Sequence, residues 1–546
     1  MRKKLNTSVK NLFKRITKKQ VDIPLNVPLR TTYKSNIDQS TLNQIKKYRN
    51  ENINIPSVIN GKEYITSHTK AQICPYNINE TVCNYNVADE SLLKEAIRTH
   101  KEGRSVLKKL NLQDKKKIFN KVADMFSNDE KYRTSIQAST IYGQGKTVHQ
   151  AEIDAVAELA DFLNFNAYYL EQLESEQPYS LNATDAENYS NWNPLNGFVA
   201  SITPFNFTAI GANLATVPLL MGNPVIWKPS DNAVLSNYVF YQALLEAGMP
   251  PEAISFVPSD PNLFLDTVTD SEDFSAMAFT GSSEVFENIW KKIGDNISNY
   301  NSFPRIVGET GGMNYHFVFE DADMENVLLS TVRGAFEYSG QKCSATSRIY
   351  LPRSKAQKYI DRLIEEVNNL KIGSPEEEGT FTSAVIHDRA YNRLVDVIKR
   401  NEDDLICGGT YSNDIGYYVD PTIFLCNDHD NEIMNNEFFG PVMGIYIYDN
   451  VEEGLNLCSQ NKYALTGSVF TRAERNVHLA QKYLEDTCGN FYLNDKCTGS
   501  VVFQQPFGGS KKSGTNDKAG SRLFLTRFGN NKITKLKDHT FPVHQL

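Results

Sequence analysis

The sequence predicts an α/β protein built from more than one domain. Its 546 residues exceed what one hydrophobic core usually organises, so two or three structural domains are expected. From residue 197 onward, apolar strand-like runs alternate with helix-like runs through short connections. This alternation predicts a parallel sheet covered by helices on both faces, which binds ligands at the carboxyl ends of its strands.

The region before this alternation is mostly helical. A short hairpin is predicted around Asn60-Gly61, a dipeptide favoured in two-residue turns. The hairpin covers residues 58–65, two amphipathic helices are predicted at residues 91–107 and 113–126, and a long helix is predicted at residues 150–173. The stretch 178–193 is rich in Ser, Asn and Thr, which indicates a linker or an exposed two-stranded excursion.

Two alternating regions follow. The first has predicted strands and helices at residues 198–202, 209–220, 224–227, 236–247, 254–257 and 275–279. The second has predicted elements at residues 324–336, 348–351, 355–370, 421–425, 442–448 and 477–484. Because ligand clefts form at domain interfaces, we expect the functional site between the two regions.

Composition and charge exclude several classes of protein. Apolar content of 40% and charged content of 22% lie near the soluble globular norm. A net charge of −8 argues against a nucleic-acid partner. The most apolar window, residues 209–227, is interrupted by Pro, Gly and Asn, so no membrane insertion is expected. The eight cysteines form no C-x-x-C pair and the histidines no H-x-x-x-H, so no metal is predicted and a reducing compartment is inferred.

Residues 1–20 differ from the rest of the chain. They contain eight Lys or Arg and no acid, and an apolar stripe recurs at helical spacing, formed by Val9, Leu12, Phe13 and Ile16. This pattern is typical of a mitochondrial targeting segment, although the excess of Lys over Arg is less so. The alternative is a solvated basic tail.

Three residues carry the predicted chemistry. Cys343 lies at a loop-to-strand junction between Gly340 and Ser344. Glu309 is flanked by glycines, and Asn206 follows a rigid proline between two aromatic residues. A lone cysteine is more often a buried core residue. A thiol, a carboxylate and an amide donor together are the groups needed to form a thioester and hydrolyse it.

These segments resemble the aldehyde dehydrogenase superfamily, and within it the 1-pyrroline-5-carboxylate dehydrogenase (glutamate-γ-semialdehyde dehydrogenase) branch. The resemblance runs from about Pro56 to Arg527. It is most specific at residues 203–210 (T-P-F-N-F-T-A-I), at residues 340–347, and at residues 504–518 (Q-Q-P-F-G-G-S-K-K-S-G-T-N-D-K). The family's oxyanion-hole amide, general base and nucleophile follow in the order of Asn206, Glu309 and Cys343.

The resemblance implies an aldehyde dehydrogenase-like fold with three parts. These are a Rossmann-type NAD-binding domain at residues 30–174 and 198–325, an α/β catalytic domain at 326–508, and a small β oligomerisation flap at 175–197 and 509–546. It also implies NAD-dependent oxidation of L-glutamate γ-semialdehyde, in equilibrium with 1-pyrroline-5-carboxylate, to L-glutamate. This is the second step of proline catabolism. The implied setting is the mitochondrial matrix, with a homodimer or higher homo-oligomer and functional coupling to proline dehydrogenase.

The cofactor site has no G-x-G-x-x-G fingerprint. Instead, Thr280-Gly281-Ser282 ends a predicted strand and leads into a helix, whose free N–H groups suit a pyrophosphate. Taken alone, such a turn need only cap a helix. The resemblance implies NAD contacts at Thr203, Lys228, Gly281, Ser282, Ser283, Glu284, Val285 and Glu437.

The substrate site is predicted around Gly499-Ser500, a turn whose exposed N–H groups suit a carboxylate. Phe207 and Phe507 are expected to sandwich a short aliphatic chain, and Ser344 to offer its hydroxyl to the carboxylate. Without the resemblance, a Gly-Ser turn is only a turn and the two aromatic residues are core. In the family, the matching residues bind the amino-carboxylate end of the semialdehyde.

Some residues depart from the family's pattern or keep an open role. Phe503 stands where a glycine is common, and Ser510-Lys511-Lys512 replaces a small-Arg-small run. Lys342 either assists the thiolate electrostatically or faces solvent. Glu158 matches a family glutamate near the substrate entrance, with its role left open.

Two other classes of function remain as alternatives. A CoA-acylating or general aldehyde dehydrogenase is disfavoured by Glu309 and by the Gly499-Ser500 turn, and CoA transfer and oxidation of propanal would reveal it. A non-catalytic binding protein is disfavoured because Cys343, Glu309 and Asn206 are all present; bound NAD without turnover would reveal it.

Overall fold

Two seven-stranded sheets form the body of the molecule. The computed structural model describes residues 23–178 and 187–536. The predicted targeting segment and parts of the predicted flap (residues 179–186 and 537–546) lie outside the described residues.

The strands, in chain order, are β1 Asn54–Ile55, β2 Ser57–Ile59, β3 Lys62–Tyr64, β4 Thr69–Ile73, β5 Thr81–Asn86, β6 Glu187–Pro194, β7 Phe198–Ile202, β8 Val225–Lys228, β9 Ile254–Phe256, β10 Phe274–Thr280, β11 Arg305–Glu309, β12 Asn314–Val318, β13 Thr346–Pro352, β14 Leu405–Cys407, β15 Tyr411–Ser412, β16 Tyr418–Val419, β17 Thr422–Leu425, β18 Val442–Tyr448, β19 Tyr463–Ala464, β20 Thr466–Phe470, β21 Asn490–Leu493, β22 Ser510–Lys511 and β23 Gly529–Leu536. The α-helices are α1 Gln39–Asn50, α2 Glu90–Leu107, α3 Leu112–Asn128, α4 Glu130–Gln144, α5 Val148–Ala151, α6 Leu159–Ser175, α7 Thr208–Leu220, α8 Val234–Glu246, α9 Pro261–Thr269, α10 Ser283–Asp295, α11 Met324–Phe336, α12 Arg353–Asn368, α13 Asp388–Arg400, α14 Glu432–Asn435, α15 Val451–Ser459, α16 Glu474–Leu484 and α17 Arg522–Thr526.

The first sheet has the strand order β11-β10-β7-β8-β9-β2-β3. Strands β7 to β11 are parallel, and the predicted hairpin β2–β3 adds an antiparallel edge. Every residue of β8 and β10 is buried, because helices cover both faces of the sheet. The predicted α/β class is therefore confirmed.

The second sheet has the order β14-β17-β18-β13-β12-β20-β21 and is parallel except at β14. Strand β12 belongs to this sheet, although residues 314–318 were predicted within the NAD-binding domain. The chain changes sheets over residues 310–313, so the boundary predicted at residue 325 is too late. Gly311 and Gly312 allow this direct strand-to-strand passage, where the sequence offers no helix to mark a new domain.

The long helix predicted over residues 150–173 is interrupted. A π-helical segment, Glu152–Glu158, separates α5 from α6. Within it, the buried carboxylate of Glu152 accepts hydrogen bonds from Gln137 (2.7 Å) and from Arg133. Such π segments are frequent at functional sites, and this one lies beside α7.

The predicted two-stranded excursion is present as the antiparallel pair β6–β23, with Asn193 opposite Asn530. Only part of the predicted C-terminal flap joins it. Strand β22 pairs with β19 instead, and helix α17 packs against α6, because Phe524 and Leu525 are buried in the core of the first domain. Among the described residues, the two-stranded ribbon therefore comprises residues 187–194 and 529–536.

We found no helix within residues 23–178 and 187–536 that is long and apolar enough to cross a membrane.

The β2–β3 turn yields a stability prediction. Gly61 has a φ of +73°, and an added Cβ would lie 2.9 Å from the Cβ of Pro251. We expect Gly61→Ala to lower the free energy of unfolding by about 1–2 kcal/mol, because side chains disfavour the left-handed region. The measurement is the urea midpoint of unfolding. The control is Gly294→Ala in α10, where an added Cβ meets nothing within 4 Å and stability should rise by roughly 0.5 kcal/mol. An unchanged midpoint for Gly61→Ala would contradict the prediction.

Candidate active site

The loop that carries Cys343 has an unusual backbone. Tyr338, Ser339 and Gly340 all have positive φ, at 53°, 51° and 64°. An added Cβ at Gly340 would lie 2.2 Å from the carbonyl oxygen of Gly440, so only glycine fits there. The loop then reaches Cys343, and strand β13 begins at residue 346, two residues before the predicted start at 348. Such backbone strain persists only where surrounding contacts enforce it.

Those contacts come from several directions. The Tyr338 hydroxyl donates to the carbonyl of Gln144 at 3.0 Å, and the Ser339 N–H donates to Thr382 Oγ1 at 2.7 Å. The Ile386 N–H donates to the side chain of Gln341 at 2.8 Å. The nucleophile loop is therefore bound to both domains.

Asn206 and Glu309 lie beside this loop. The buried amide of Asn206 donates to the carbonyl of Gln341 at 3.2 Å, two residues before Cys343. Glu309 ends β11, and its buried Oε2 has no hydrogen-bond partner among the described residues. Burial raises the pKa of the Glu309 carboxyl well above its ordinary 4.5. The structure thus brings the three predicted residues together.

Two carboxylates affect the protonation of the Cys343 thiol. Burial first, and then the charges of Glu309 and Glu437, raise the pKa of the Cys343 thiol above its ordinary 9.0. Part of Cys343 stays exposed, so the site is reachable. A thiol held among buried acids needs a compensating positive charge to form the reactive thiolate.

Asn314, which the sequence analysis did not single out, ties Cys343 to the sheet change. Its Nδ2 donates to the carbonyls of Cys343 and Ala345, each at 2.8 Å. Its Oδ1 accepts from the N–H of Thr466 at 3.0 Å. The Asn314 side chain, at the start of β12, therefore holds the backbone on both sides of Ser344.

The predicted cofactor residues share one edge of the first sheet. Strand register aligns Ile202 with Lys228 and with Phe279, and Thr280 with Glu309. The carboxyl ends of these parallel strands therefore meet where Thr203, Lys228, Gly281 and Glu309 lie. This edge is where parallel sheets bind ligands.

Residues 281–285 form the N-terminus of the 13-residue helix α10. Ser282 caps the helix by accepting from the Val285 N–H at 3.3 Å, while Ser283 donates to the Lys512 carbonyl at 2.8 Å. Ser282, Glu284 and Val285 are exposed. Unpaired N–H groups and the helix dipole favour an anion at this position.

The other cofactor residues flank the same edge. Lys228 is buried, with Nζ 3.3 Å from the Pro229 carbonyl and 3.7 Å from Asp231, and burial lowers its pKa. Thr203 is less available, because its hydroxyl accepts from Trp227 Nε1 at 2.9 Å. Glu437 accepts from the Gly312 N–H at 2.9 Å, and burial raises its pKa to about 7. The buried Lys228, the helix N-terminus at residues 281–285 and the half-buried Glu437 are groups of the kinds that a dinucleotide needs.

The predicted substrate turn lies behind the nucleophile. Gly499 has a φ of +87°, and the preceding Thr498 hydroxyl contacts the Ser344 hydroxyl at 2.7 Å. The Cys497 N–H donates to the buried His316 Nε2 at 3.2 Å. Ser344 therefore supports the turn directly, and its hydroxyl is already engaged by Thr498.

Phe207 and Phe507 are both half-buried, and the expected sandwich stays a prediction. The Phe207 ring instead has a close cationic neighbour, since Lys146 Nζ lies 3.9 Å from its centroid. Phe503, the departure from the family's pattern, has a φ of +74° and stacks on Phe165 at 4.7 Å. That aromatic contact stabilises a backbone conformation that usually favours glycine.

Buried charges beside the start of helix α7 were not predicted from the sequence. Lys146 and Asp154 form a fully buried ion pair at 2.6 Å, and Asp154 also accepts from the N–H groups of Thr208 and Ala209. Burial and the Asp154 charge raise the pKa of Glu158. The sequence did offer one signal for these buried charges, because acidic residues recur on the apolar face of the segment 150–173.

Two lysines near the site also have partners that the sequence did not show. Lys342 is buried and pairs with Glu337 at 2.8 Å, so the solvent-facing alternative is wrong. Lys518 donates to the carbonyls of Gly489 and Gly508, each at 2.8 Å, and its charge lowers the pKa of Glu309, against the larger effect of burial.

Among the described residues, no group of three or more His, Cys, Asp or Glu side chains could hold a metal ion.

Comparison with known proteins gives consistent matches over nearly the whole chain. The model of the aldehyde dehydrogenase family matches residues 64–533. The mitochondrial delta-1-pyrroline-5-carboxylate dehydrogenase of Dictyostelium discoideum is 42% identical, with 98% of each chain covered. The Homo sapiens protein of the same name is 45% identical over 88% of this chain and 86% of its own.

Solved structures agree with these matches. The delta-pyrroline-5-carboxylate dehydrogenase of Mycobacterium tuberculosis, crystallised with NAD, aligns with a TM-score of 0.90 at 35% identity. The alignment covers 98% of this chain and 100% of that one.

Proposed function

The chain belongs to the aldehyde dehydrogenase family, and from that premise we propose that it oxidises L-glutamate γ-semialdehyde to L-glutamate with NAD. The semialdehyde is the open form of 1-pyrroline-5-carboxylate, and its oxidation is the second step of proline catabolism. The observation that carries the proposal is the convergence of the Asn206 amide, the Glu309 carboxyl and the loop of Cys343.

In the first step, the Cys343 thiolate bonds to the aldehyde carbon, and the carbonyl electron pair moves to oxygen. The Asn206 amide, which donates to the Gln341 carbonyl in this structure, and the Cys343 N–H would stabilise this oxyanion. Losing one such donor typically costs a hundred- to a thousand-fold in rate. The product of this step is a thiohemiacetal on Cys343.

NAD would be held by Lys228, by the helix N-terminus at residues 281–285, and by Glu437. When bound, it supplies the acceptor for the hydride that leaves the thiohemiacetal carbon, and a thioester on Cys343 results.

In the last step, Glu309 takes a proton from water, the hydroxyl oxygen attacks the thioester carbon, and the sulfur leaves as thiolate. A carboxyl with a raised pKa suits this task, because a base works best near the operating pH. The same acid disfavours the CoA-acylating alternative, since it directs the thioester to water.

Substrate choice is assigned to the far end of the crevice. The N–H groups of Gly499 and Ser500 would bind the α-carboxylate, and Phe207 and Phe507 would line the aliphatic chain. Ser344 would act with this turn through its bond to Thr498.

The proposed setting is the mitochondrial matrix. The two curated relatives are named mitochondrial, and residues 1–20 have the composition of a targeting segment. We also propose a homo-oligomer assembled through the β6–β23 ribbon, together with functional coupling to proline dehydrogenase.

The first test separates the two chemical steps. With the semialdehyde and NAD, Cys343→Ala should form no NADH, because no thiohemiacetal can form. Glu309→Gln should still give a burst of NADH, while steady turnover falls by roughly a hundred- to ten-thousand-fold, because hydrolysis lacks its base. The readout is stopped-flow NADH absorbance.

The matched control for that test is Glu453→Gln, which changes an exposed carboxylate in helix α15. It should leave both the NADH burst and the steady turnover unchanged. Substantial turnover by Cys343→Ala would overturn the assignment of the nucleophile.

The pH dependence of turnover follows from the raised pKa of Glu309. Below that pKa the carboxyl holds a proton and cannot take one from water, so the rate of hydrolysis should rise as pH increases. We expect this rise at a pH well above 4.5, where an ordinary carboxyl would already be ionised, because burial raises the pKa of Glu309. Steady-state rates measured as a function of pH are the readout. A flat profile would contradict the role of Glu309 as base.

Specificity should depend on the turn. Relative to the parent protein, Ser500→Pro removes the N–H of residue 500 and should raise the KM for the semialdehyde by about tenfold, because one charge-assisted hydrogen bond is lost. The KM for propanal, which has no carboxylate, should not change. Both substrates are measured with NAD and with NADP, so that the same experiment tests the role of the turn and the choice of cofactor. Equal effects on both aldehydes would contradict the role of the turn.

A further inference from the structure

The first described residues form an extended segment without regular secondary structure, residues 23–37, which we call the strap. Near its start, Asn26 Nδ2 donates to Asp161 on helix α6 at 2.7 Å and to the carbonyl of Val502 at 3.0 Å. Its Oδ1 accepts from Gln504 Nε2 at 2.9 Å. Asn26 therefore joins α6 to the residues that directly follow the substrate turn.

The middle of the strap binds the π-helical region. The Arg30 N–H donates to Glu152 at 2.8 Å, and the Arg30 guanidinium donates to the Ser127 carbonyl at 2.7 Å. The Thr31 hydroxyl contacts His149 Nδ1 at 3.1 Å. These contacts fix the direction in which the strap leaves the first domain.

The end of the strap reaches the nucleophile loop. The Tyr33 hydroxyl donates to the Glu337 carboxylate, whose other oxygen binds Lys342 at 2.8 Å. Arg333 joins the same group, with its guanidinium carbon 4.6 Å from the Tyr33 ring centroid. Glu337 is buried, and the cations of Lys342 and Arg333 hold its pKa to about 2 against the effect of burial. Four side chains thus form one network that ends at the residue before Cys343.

The strap is held by these polar contacts more than by burial. Leu25 is 89% exposed and Leu29 is 46% exposed, while Ile23, Val27 and Ile37 are only partly buried against the core. A segment held only for stability would be expected to bury its large apolar side chains. Here its polar groups instead meet the two loops on which the proposed reaction depends.

We infer that the strap positions the active site. On this inference, Tyr33 positions the nucleophile loop through Glu337 and Lys342, and Asn26 positions the substrate turn through Val502 and Gln504. The inference rests on the proposed function and adds positioning residues that touch neither substrate nor cofactor.

The two ends of the strap should affect different kinetic parameters. Loss of the Tyr33 hydroxyl frees Glu337 and Lys342 to rearrange, which shifts Cys343 relative to Asn206 and slows the chemical step. Misplacement of about 1 Å can cost on the order of a hundred-fold in rate. Loss of the Asn26 amide releases the turn, which weakens binding of the carboxylate.

The experiment compares full-length variants with the semialdehyde and NAD. Tyr33→Phe should lower kcat on the order of tenfold with little change in KM. Asn26→Ala should raise the KM for the semialdehyde severalfold with a smaller change in kcat, and leave the KM for propanal unchanged. A general loss of stability would not separate the two parameters in this way.

Tyr483→Phe is the matched control, because the Tyr483 hydroxyl also donates to a carboxylate, Glu452 at 3.2 Å, on an exposed surface. It should leave kcat and KM unchanged. In a Glu337→Gln background, Tyr33→Phe should have little further effect if the two residues act as one unit.

The outcomes are distinguishable. If the parent protein fails to oxidise the semialdehyde, the proposed function is wrong. If the parent is active and Tyr33→Phe keeps its kcat, positioning of the nucleophile loop is overturned. If Asn26→Ala keeps the parent KM for the semialdehyde, positioning of the turn is overturned. The Asn26→Ala measurement decides this point even if Tyr33→Phe does not fold.

Discussion

The side chain of Asn314 is the contact on which the reaction centre depends. Glu309 ends a strand of one sheet, and Asn314 begins a strand of the other only five residues later. Because its amide holds the carbonyls of Cys343 and Ala345, the thiol and the carboxyl are set together by a link too short to flex widely. The two sheets are thus held together at the point where Glu309 and Cys343 lie. Gly311 and Gly312 make it sterically feasible for the chain to pass from β11 to β12 in so few residues.

Buried charge is the cost of holding Asn206 in place. The Lys146–Asp154 pair is fully buried, and removing one partner of such a pair typically costs about 3–5 kcal/mol, because the other charge is left unpaired. Asp154 also binds the first two N–H groups of helix α7, which begins two residues after Asn206. A carboxylate at a helix N-terminus is favourable there. The π-helical segment places that acid where a regular helix would have turned it elsewhere.

Local signals predicted much of the architecture, and non-local pairing accounts for what they missed. The β2–β3 hairpin, helix α11 and strand β18 follow from turn chemistry and periodicity, which act between neighbouring residues. Asn206, Glu309 and Cys343 were identified by residue type and by family resemblance. The sheet to which residues 314–318 belong was not predictable, because a buried parallel strand reads the same in either sheet. Tyr33 meets Glu337 from 304 residues away, so that pairing was hidden for the same reason. The ion pairs Lys342–Glu337 and Lys146–Asp154 are local in sequence, but they depend on an irregular loop and on a π-helical segment, which residue spacing does not reveal. The family resemblance extended the C-terminal flap over helix α17, whose buried Phe524 and Leu525 belong to the core of the first domain.

The contacts of Asn26 also set an order of events during synthesis. Its partners Val502 and Gln504 lie 476 and 478 residues later in the chain. At a translation rate of about 5–20 residues per second, Asn26 leaves the ribosome on the order of half a minute to a minute and a half before them. The amino-terminal end must therefore wait, unattached at that point, until nearly all of the polypeptide has been made. The bond of Asn26 to Asp161 is available once helix α6 has formed, whereas its bonds to Val502 and Gln504 are among the last contacts that the polypeptide can make.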